Sequence, residues 1–218
     1  MDTATISHAD LLLESHFRCQ RGEGSDFVHV SELDAFLRGL LFTDGTVTRA
    51  LEVHMLDQVT VEVLDQTRDT LPARAAAHLE ATPGAECLRR RVTMTASAAP
   101  LGVWAESFIL PDRLPPGFLA VLGGAPQGIG ESIQGVRLES ARDLLSFRLD
   151  HPPGWAVGCA PATTVLTRLY RVITSGTPAL LIAEMFAVEH RDGQWHMLGC
   201  EDGSAASGAA YRKRVGAV

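Results

Sequence analysis

Residues 163–190 read TTVLTRLYRVITSGTPALLIAEMFAVEH, and this stretch decides the fold class. Thr163 to Thr174 is rich in β-branched residues and alternates between apolar and polar side chains, which is typical of a half-buried strand. Ser175-Gly176 fits a tight turn, and Ala179 to His190 predicts a second strand that runs back along the first. The stretch therefore predicts an antiparallel β-hairpin.

The segments outside this hairpin predict further strands and several helices. We expect helices over about 33–41, 46–55, 71–80 and 118–122, strands from 59 and over 87–97, 103–110 and 138–149, and a short strand over 195–198. The elements do not follow one another as βαβ units. The order indicates an α+β domain with a mainly antiparallel sheet and helices on one side. We predict one domain over residues 1–200, with a short helix and a loop before residue 30, and a flexible tail over 201–218.

The charge balance limits the partners of this chain. Its 218 residues include 19 Lys+Arg and 26 Asp+Glu, for a net charge of −7. Nucleic-acid binding depends on clustered basic residues, so we expect no nucleic-acid partner. The sequence has no long apolar window and no basic and apolar leader, so we expect no membrane span and a cytoplasmic location. A small anionic substrate is compatible with this composition, and oligomeric state is left open.

Cysteine and glycine patterns give no sign of a cofactor. Cys19, Cys87, Cys159 and Cys200 are too far apart for a metal knuckle, and we predict reduced, packed thiols. Gly128-Ile129-Gly130 is a lone Gly-x-Gly, which is a weak dinucleotide signal. The sequence has neither a P-loop nor closely spaced histidine pairs, so we predict neither a metal nor a nucleotide cofactor.

Glu184 is the most informative single residue. Alternation along its strand places this carboxylate on the same face as Ile182 and Phe186. Burial of a carboxylate costs several kcal/mol unless the group is paired or protonated, as in an acid–base site. A glutamate that is simply paired at a sheet edge is the alternative.

Two arginines are candidates for binding a carboxylate. Alternation places Arg91 on one face of its strand and Arg90 on the other. A guanidinium that projects from a sheet holds a carboxylate through two hydrogen bonds, which makes Arg91 a candidate and Arg142 a second one. Solvated side chains, or an ion pair of Arg91 with Glu86 or Glu106, are the alternatives.

With these residues in place, the sequence resembles the chorismate lyase family. The resemblance is carried, in the family's order, by residues 40–52 (LLFTDGTVTRALE), 91–94, 104–111, 128–130, 142–143 and 175–186. It implies a six-stranded antiparallel sheet with a buried site under helical flaps. It also implies aromatic biosynthesis by a lyase that converts chorismate to 4-hydroxybenzoate and pyruvate without a cofactor.

The resemblance also implies roles for individual residues. Arg91 falls on the arginine that binds the ring carboxylate, and Glu184 falls on the glutamate near the ring hydroxyl. Val47 and Ile129 fall where backbone amides help to hold that carboxylate. We assign the second carboxylate of chorismate to Arg142 or Arg49.

Glu106 departs from the family pattern, because well-known members have glycine beside the product at this position. An extra carboxylate in the site favours a second hypothesis, in which the same fold acts on another aromatic or cyclic acid. A third hypothesis is a non-catalytic module that binds a small ligand, since the same fold serves as the effector-binding domain of some transcription regulators. We expect no DNA-binding module in this chain.

Overall fold

The computed structural model describes residues 20–21, 28–96, 99–124, 128–158 and 163–198. Its helices are α1 (Ala35–Phe42), α2 (Val47–Met55), α3 (Ala73–Leu79), α4 (Phe118–Gly124) and α5 (Ile129–Gly135), with short 3-10 turns at Val30–Glu32 and Pro111–Arg113. Its strands are β1 (Gln20–Arg21), β2 (Val59–Thr70), β3 (Glu86–Ala96), β4 (Ala99–Ile109), β5 (Ser140–Asp150), β6 (Thr164–Thr174), β7 (Thr177–Arg191) and β8 (Gln194–Met197).

The described strands form one sheet in the order β1-β5-β6-β7-β4-β3-β2, and β8 pairs with the far end of β7. The six long strands, β2 to β7, are antiparallel to their neighbours, whereas the two-residue β1 pairs with β5 in parallel. The fold is therefore α+β with six long antiparallel strands, and this confirms the predicted fold class.

The hairpin of β6 and β7 forms the centre of the sheet. Its two turn residues, Ser175 and Gly176, have φ angles of 50° and 77°. Two left-handed residues in succession give a turn whose twist matches that of the flanking strands. The pairing runs from Thr174 with Thr177 to Thr164 with Val188, with a register shift between Val172 and Ile173, and this confirms the predicted hairpin.

Alternate residues of β7 face two different layers. Ile182 and Phe186 belong to apolar clusters that also contain residues of α1, α2, α4 and α5, and we call this side the cavity face. On the other side, Leu181 packs with Ala76 and Leu79 of α3. The prediction that the helices lie on one side of the sheet holds for four of the five described helices and is wrong for α3, which covers the opposite side.

The helices begin at capping residues that the sequence presents. The Asp34 side chain accepts a hydrogen bond from the Leu37 amide at 2.7 Å, and Thr46 accepts one from the Arg49 amide at 3.3 Å. The sequence predicts one helix in the Gly- and Pro-rich segment 115–130, whereas the structure has two. The second, α5, begins after Gly128, whose amide donates to the Glu131 carboxylate.

Some predictions fall outside the described residues. They are the helix before residue 20, the tail over 201–218, and the states of Cys19, Cys159 and Cys200. Cys87 is described, and its thiol is buried and free. Burial raises the pKa of this thiol, as befits a packed and unreactive cysteine. In the described part of the chain, every helix is too short or too polar to cross a membrane.

Candidate functional site

A cavity lies between the cavity face of the sheet and the first turns of α2 and α5. The space between its lining residues, counted together with the part that is open to solvent, is about 530 Å³. The sheet contributes apolar side chains, including Val92 and Ile182, together with Arg90, Arg142, Tyr170 and Glu184. The cover consists of the segments 45–48 and 128–130. The cavity therefore combines an apolar body with a few charged and polar groups.

Strand β4 supplies a floor of small side chains. Ala105 is the neighbour of Glu184 across the sheet, and Ser107 is the neighbour of Arg90. Arg90 and Glu184 stand two strands apart and two residues apart along the strands, so their Cα atoms are about 12 Å apart. The space between these two charged side chains is left open because the intervening residues are small.

Glu184 is buried, and each of its carboxylate oxygens accepts one hydrogen bond. Its side chain accepts a hydrogen bond from Arg168 Nε at 2.6 Å on one oxygen and from the Tyr170 hydroxyl at 3.0 Å on the other. The residue as a whole is only 7% exposed. Removal of one member of such a pair leaves an uncompensated buried charge, so the three side chains stabilise the fold only as a set.

Arg168 connects this carboxylate to α1. Its Nη1 donates to the carbonyl oxygens of Leu40 and Leu41 in the last turn of that helix. Burial by itself lowers the pKa of Arg168, but the charge of Glu184 and the contact with Tyr170 outweigh burial, so the pKa is raised. Arg168 therefore remains a cation, and the helix that leads into the cover is attached to the carboxylate in the cavity.

Arg90 is the buried arginine of β3 that lines the cavity. The residue is 1% exposed, and its Nη1 donates to the carbonyl oxygen of Leu122 in α4 at 2.9 Å. Burial lowers the pKa of Arg90 from its usual value, yet an arginine remains charged in proteins. A cation at this position provides donors to an anionic ligand.

The structure does not bring Arg91 to the cavity. Arg91 Nε donates to Glu106 Oε1 at 2.7 Å, and its guanidinium lies over the Trp155 ring at 5.0 Å on the opposite side of the sheet. Successive residues of a strand face opposite sides, and Val92 points into the cavity together with Arg90. The prediction that Arg91 lies in the cavity is therefore wrong, and Arg90 is the arginine of β3 that lines it.

The same pairing removes Glu106 from the site. Glu106 is the direct cross-strand neighbour of Arg91, and both side chains are 24% exposed. The residues of β4 that line the cavity are Ala105 and Ser107. The departure at Glu106 thus adds no carboxylate to the cavity, and the argument that it favours another substrate loses its basis.

The two candidates for a second carboxylate have different surroundings. Arg142 lines the cavity, its Nη1 donates to the Asp44 carbonyl oxygen, and its buried Nε has no hydrogen-bond partner in the structure. The Arg49 side chain is 78% exposed and lies 3.5 Å from Glu52 on the outside of α2. The structure therefore retains Arg142 as a candidate and places Arg49 outside the cavity.

Val47 and Ile129 are the first residues of α2 and α5, and both line the cavity. The first amides of a helix have no partner within it. The two helix starts are in close contact, because a Cβ on Gly130 would lie 2.3 Å from Thr46 Cγ2. Only glycine permits this approach of the two halves of the cover.

Arg90, Ser107, Arg168 and Tyr170 are residues of the cavity region that the sequence analysis did not select. Arg90 shares its strand face with Val92 and Met94, and this apolar face was the signal for its inward direction. For Arg168 and Tyr170 the signal was weaker, because their strand carries polar residues on both faces. Their link to Glu184 depends on the register of β6 with β7.

Among the described residues, no group of three or more His, Cys, Asp or Glu side chains lies together as metal ligands would. The charged groups of the cavity are instead arginines and one glutamate. Arginine provides only donors, and an ionised carboxylate provides only acceptors. The cavity thus offers hydrogen-bond donors at its arginines and acceptors at its glutamate.

Fold and cavity together define a domain of the chorismate lyase-like class, with a small-molecule site under a helical cover. The sequence profile of the chorismate pyruvate-lyase Rv2949c-like family matches residues 41–192. This match spans well over half of the chain, so the protein belongs to that family. The resemblance stated from the sequence is thereby confirmed.

Two curated relatives agree with this assignment, and one solved structure shares the fold. The chorismate pyruvate-lyase of Mycobacterium leprae is 29% identical over 163 residues, or 72% of this chain and 76% of that protein. That of Mycobacterium tuberculosis H37Rv is 27% identical over 163 residues, with 72% and 82% covered. PhnF from Mycobacterium smegmatis matches with a TM-score of 0.55 and 11% identity over 67% of this chain and 65% of that chain, which shows the fold alone.

Proposed function

We propose that this protein is a lyase that converts chorismate to 4-hydroxybenzoate and pyruvate without a cofactor. The single observation that carries the proposal is the polarity of the cavity. Arg90 and Arg142 provide donors, whereas Glu184 provides acceptors on an otherwise apolar lining. Chorismate has two carboxylates and a ring hydroxyl, and these groups match that distribution. Membership of a family named for chorismate pyruvate-lyase supports the same substrate.

In this proposal each charged side chain has one task. Arg90, in place of Arg91, holds the ring carboxylate through charge-assisted hydrogen bonds, and the first amides of α2 and α5 at Val47 and Ile129 assist it. Arg142, with its unpaired Nε, holds the carboxylate of the enolpyruvyl group. Glu184 orients the hydroxyl at C4 and assists movement of the proton.

The reaction needs little more than this positioning. The C4–H bond breaks, its electron pair completes the aromatic ring, and the C3–O bond breaks with the oxygen leaving on the enolpyruvyl group. That group takes up a proton at carbon and becomes pyruvate. Because aromatisation provides the driving force, the protein contributes orientation and charge stabilisation.

The direct test is turnover of chorismate by the purified protein in buffer that contains EDTA. We expect pyruvate and 4-hydroxybenzoate in equal amounts, with pyruvate followed by coupled reduction and the aromatic product by chromatography. Glu184→Gln preserves the shape of the side chain and removes its charge, so we expect a lower kcat. Arg148→Met, a change at an exposed arginine of β5, serves as the control and retains activity.

Intact chorismate after incubation with folded protein would contradict the proposal. In that case, a rise in Tm with 4-hydroxybenzoate would identify a non-catalytic binding module instead, because a ligand that binds the native state stabilises it. Loss of turnover in EDTA, with recovery on addition of a divalent cation, would contradict the cofactor-free reaction.

A further inference from the structure

The Tyr170 hydroxyl is a cavity group to which the proposed reaction gives no role. Tyr170 lines the cavity on β6 and is 7% exposed. Its hydroxyl donates to Glu184 Oε1 at 3.0 Å. A tyrosine hydroxyl has one proton, so a donor that is engaged in this way has only oxygen lone pairs left for a ligand.

The hydrogen bonds of Glu184 determine the direction in which the Tyr170 hydroxyl donates its proton. Arg168 Nε lies 2.6 Å from the other carboxylate oxygen, and an ionised carboxylate is an acceptor only. The Tyr170 proton is thus directed to Glu184 and away from the ligand. Burial, followed by the charge of Glu184, also raises the pKa of Tyr170, so the hydroxyl keeps its proton at neutral pH.

From this geometry we propose that Tyr170 is a specificity-determining residue, whose hydroxyl oxygen accepts a hydrogen bond from the ring hydroxyl of the ligand. The inference rests on the proposed function for the identity of the ligand. Tyr170 and Glu184 then form one acceptor surface on β6 and β7, and Arg90 lies across the cavity from it on β3. The cavity selects ring acids that bear a donor group away from the carboxylate, and it discriminates against ring acids that lack one.

The test compares the affinities of 4-hydroxybenzoate and benzoate by titration calorimetry. In the unchanged protein the hydroxylated acid binds more tightly. Tyr170→Phe removes the hydroxyl oxygen and keeps the ring, so the preference falls by about five- to tenfold, as expected for one lost hydrogen bond. 4-Aminobenzoate also carries a donor, so in Tyr170→Phe the ratio of its affinity to that of benzoate falls by the same factor.

Ser107→Ala is the matched control. Ser107 lies on the cavity floor beside Arg90, one strand away from Glu184, so this change alters the affinities for both acids by the same factor. Circular dichroism and urea unfolding check that both variants are folded. Tyr170 lies three strands away from Arg90 across the sheet, so the affinity for benzoate in Tyr170→Phe stays within about twofold.

An unchanged or increased preference in Tyr170→Phe would overturn the inference, because the ligand hydroxyl would then donate to Glu184 alone. The two proposals also fail separately. Turnover of chorismate with an unchanged preference in Tyr170→Phe rejects only the role of Tyr170. The converse result is that the unchanged protein leaves chorismate intact, while Tyr170→Phe loses the preference for 4-hydroxybenzoate over benzoate. That result supports the role of Tyr170 and rejects the lyase.

Discussion

At the scale of single residues, two adjacent arginines of β3 have opposite surroundings. Arg90 is buried in the cavity wall, where its Nη1 donates to the Leu122 carbonyl oxygen. Arg91 is partly exposed between Glu106 and Trp155 on the far side of the sheet. The two side chains are chemically identical, so a difference between their variants reports position alone.

We predict that Arg90→Met weakens binding of 4-hydroxybenzoate about ten- to a hundredfold, because hydrogen bonds between charged groups contribute about 1.5–3 kcal/mol. Methionine preserves most of the apolar stem. Arg91→Met is the control, and its effect on binding stays within about threefold, because Arg91 pairs with Glu106 on the side of the sheet away from the cavity. Calorimetric titration of both variants measures the difference. Equal losses of affinity in the two variants would mean that Arg90 does not bind the carboxylate of the ligand.

At the scale of elements, the cover of the cavity is made by the starts of α2 and α5. Thr46 is the N-cap of α2, and Gly130 lies in the first turn of α5. The two helices therefore meet where each one faces the cavity. Arg142 adds a link from β5 through the Asp44 carbonyl oxygen, so the segment before α2 is attached to the sheet as well.

We predict that Gly130→Ala destabilises the protein by about 1–3 kcal/mol, as overpacking does, and weakens ligand binding. The added Cβ would lie 2.3 Å from Thr46 Cγ2, so the N-cap of α2 must move. Gly135→Ala is the control in the same helix, where no atom lies within 4 Å of the added Cβ. Urea unfolding and calorimetry measure both effects. Equal stability of the two variants would show that the cover adjusts freely.

At the scale of the whole molecule, the buried group of Arg168, Glu184 and Tyr170 joins the centre of the sheet to α1. Arg168 is 2% exposed and bonds both the carboxylate of β7 and the carbonyls that end α1. The contact between Arg168 and Leu41 links residues far apart in the sequence. Correct assembly of the cavity and burial of this ion pair therefore depend on each other.

We predict that Arg168→Met lowers the free energy of unfolding by about 3–5 kcal/mol, because Glu184 is left as a buried and uncompensated charge. Glu184→Gln in the Arg168→Met background recovers part of that loss, since it removes the charge. Arg148→Met, at an exposed arginine paired with Asp150, costs no more than about 1 kcal/mol. Urea unfolding of the four proteins tests this, and a loss in Arg168→Met equal to that in Arg148→Met contradicts it.

Most of the fold could be predicted from local sequence. The hairpin of β6 and β7 has alternating side chains and a turn of Ser175 and Gly176, and the cap at Thr46 begins α2. These features depend on residues within a few positions of one another. The start of α5 at Ile129 was missed because glycines flank it and no apolar periodicity extends through it.

The sequence by itself determined the α+β class, the central hairpin and Glu184 as a carboxylate on an apolar face. Only the tertiary structure decided that Arg90 and not Arg91 faces the cavity, that Glu106 faces away from it, and that Arg168 and Tyr170 hold Glu184. The physical reason is that the alternation of side chains assigns residues to the two faces of a strand but does not show which face the helices cover. The choice depends on helices and strand registers that are distant in the sequence.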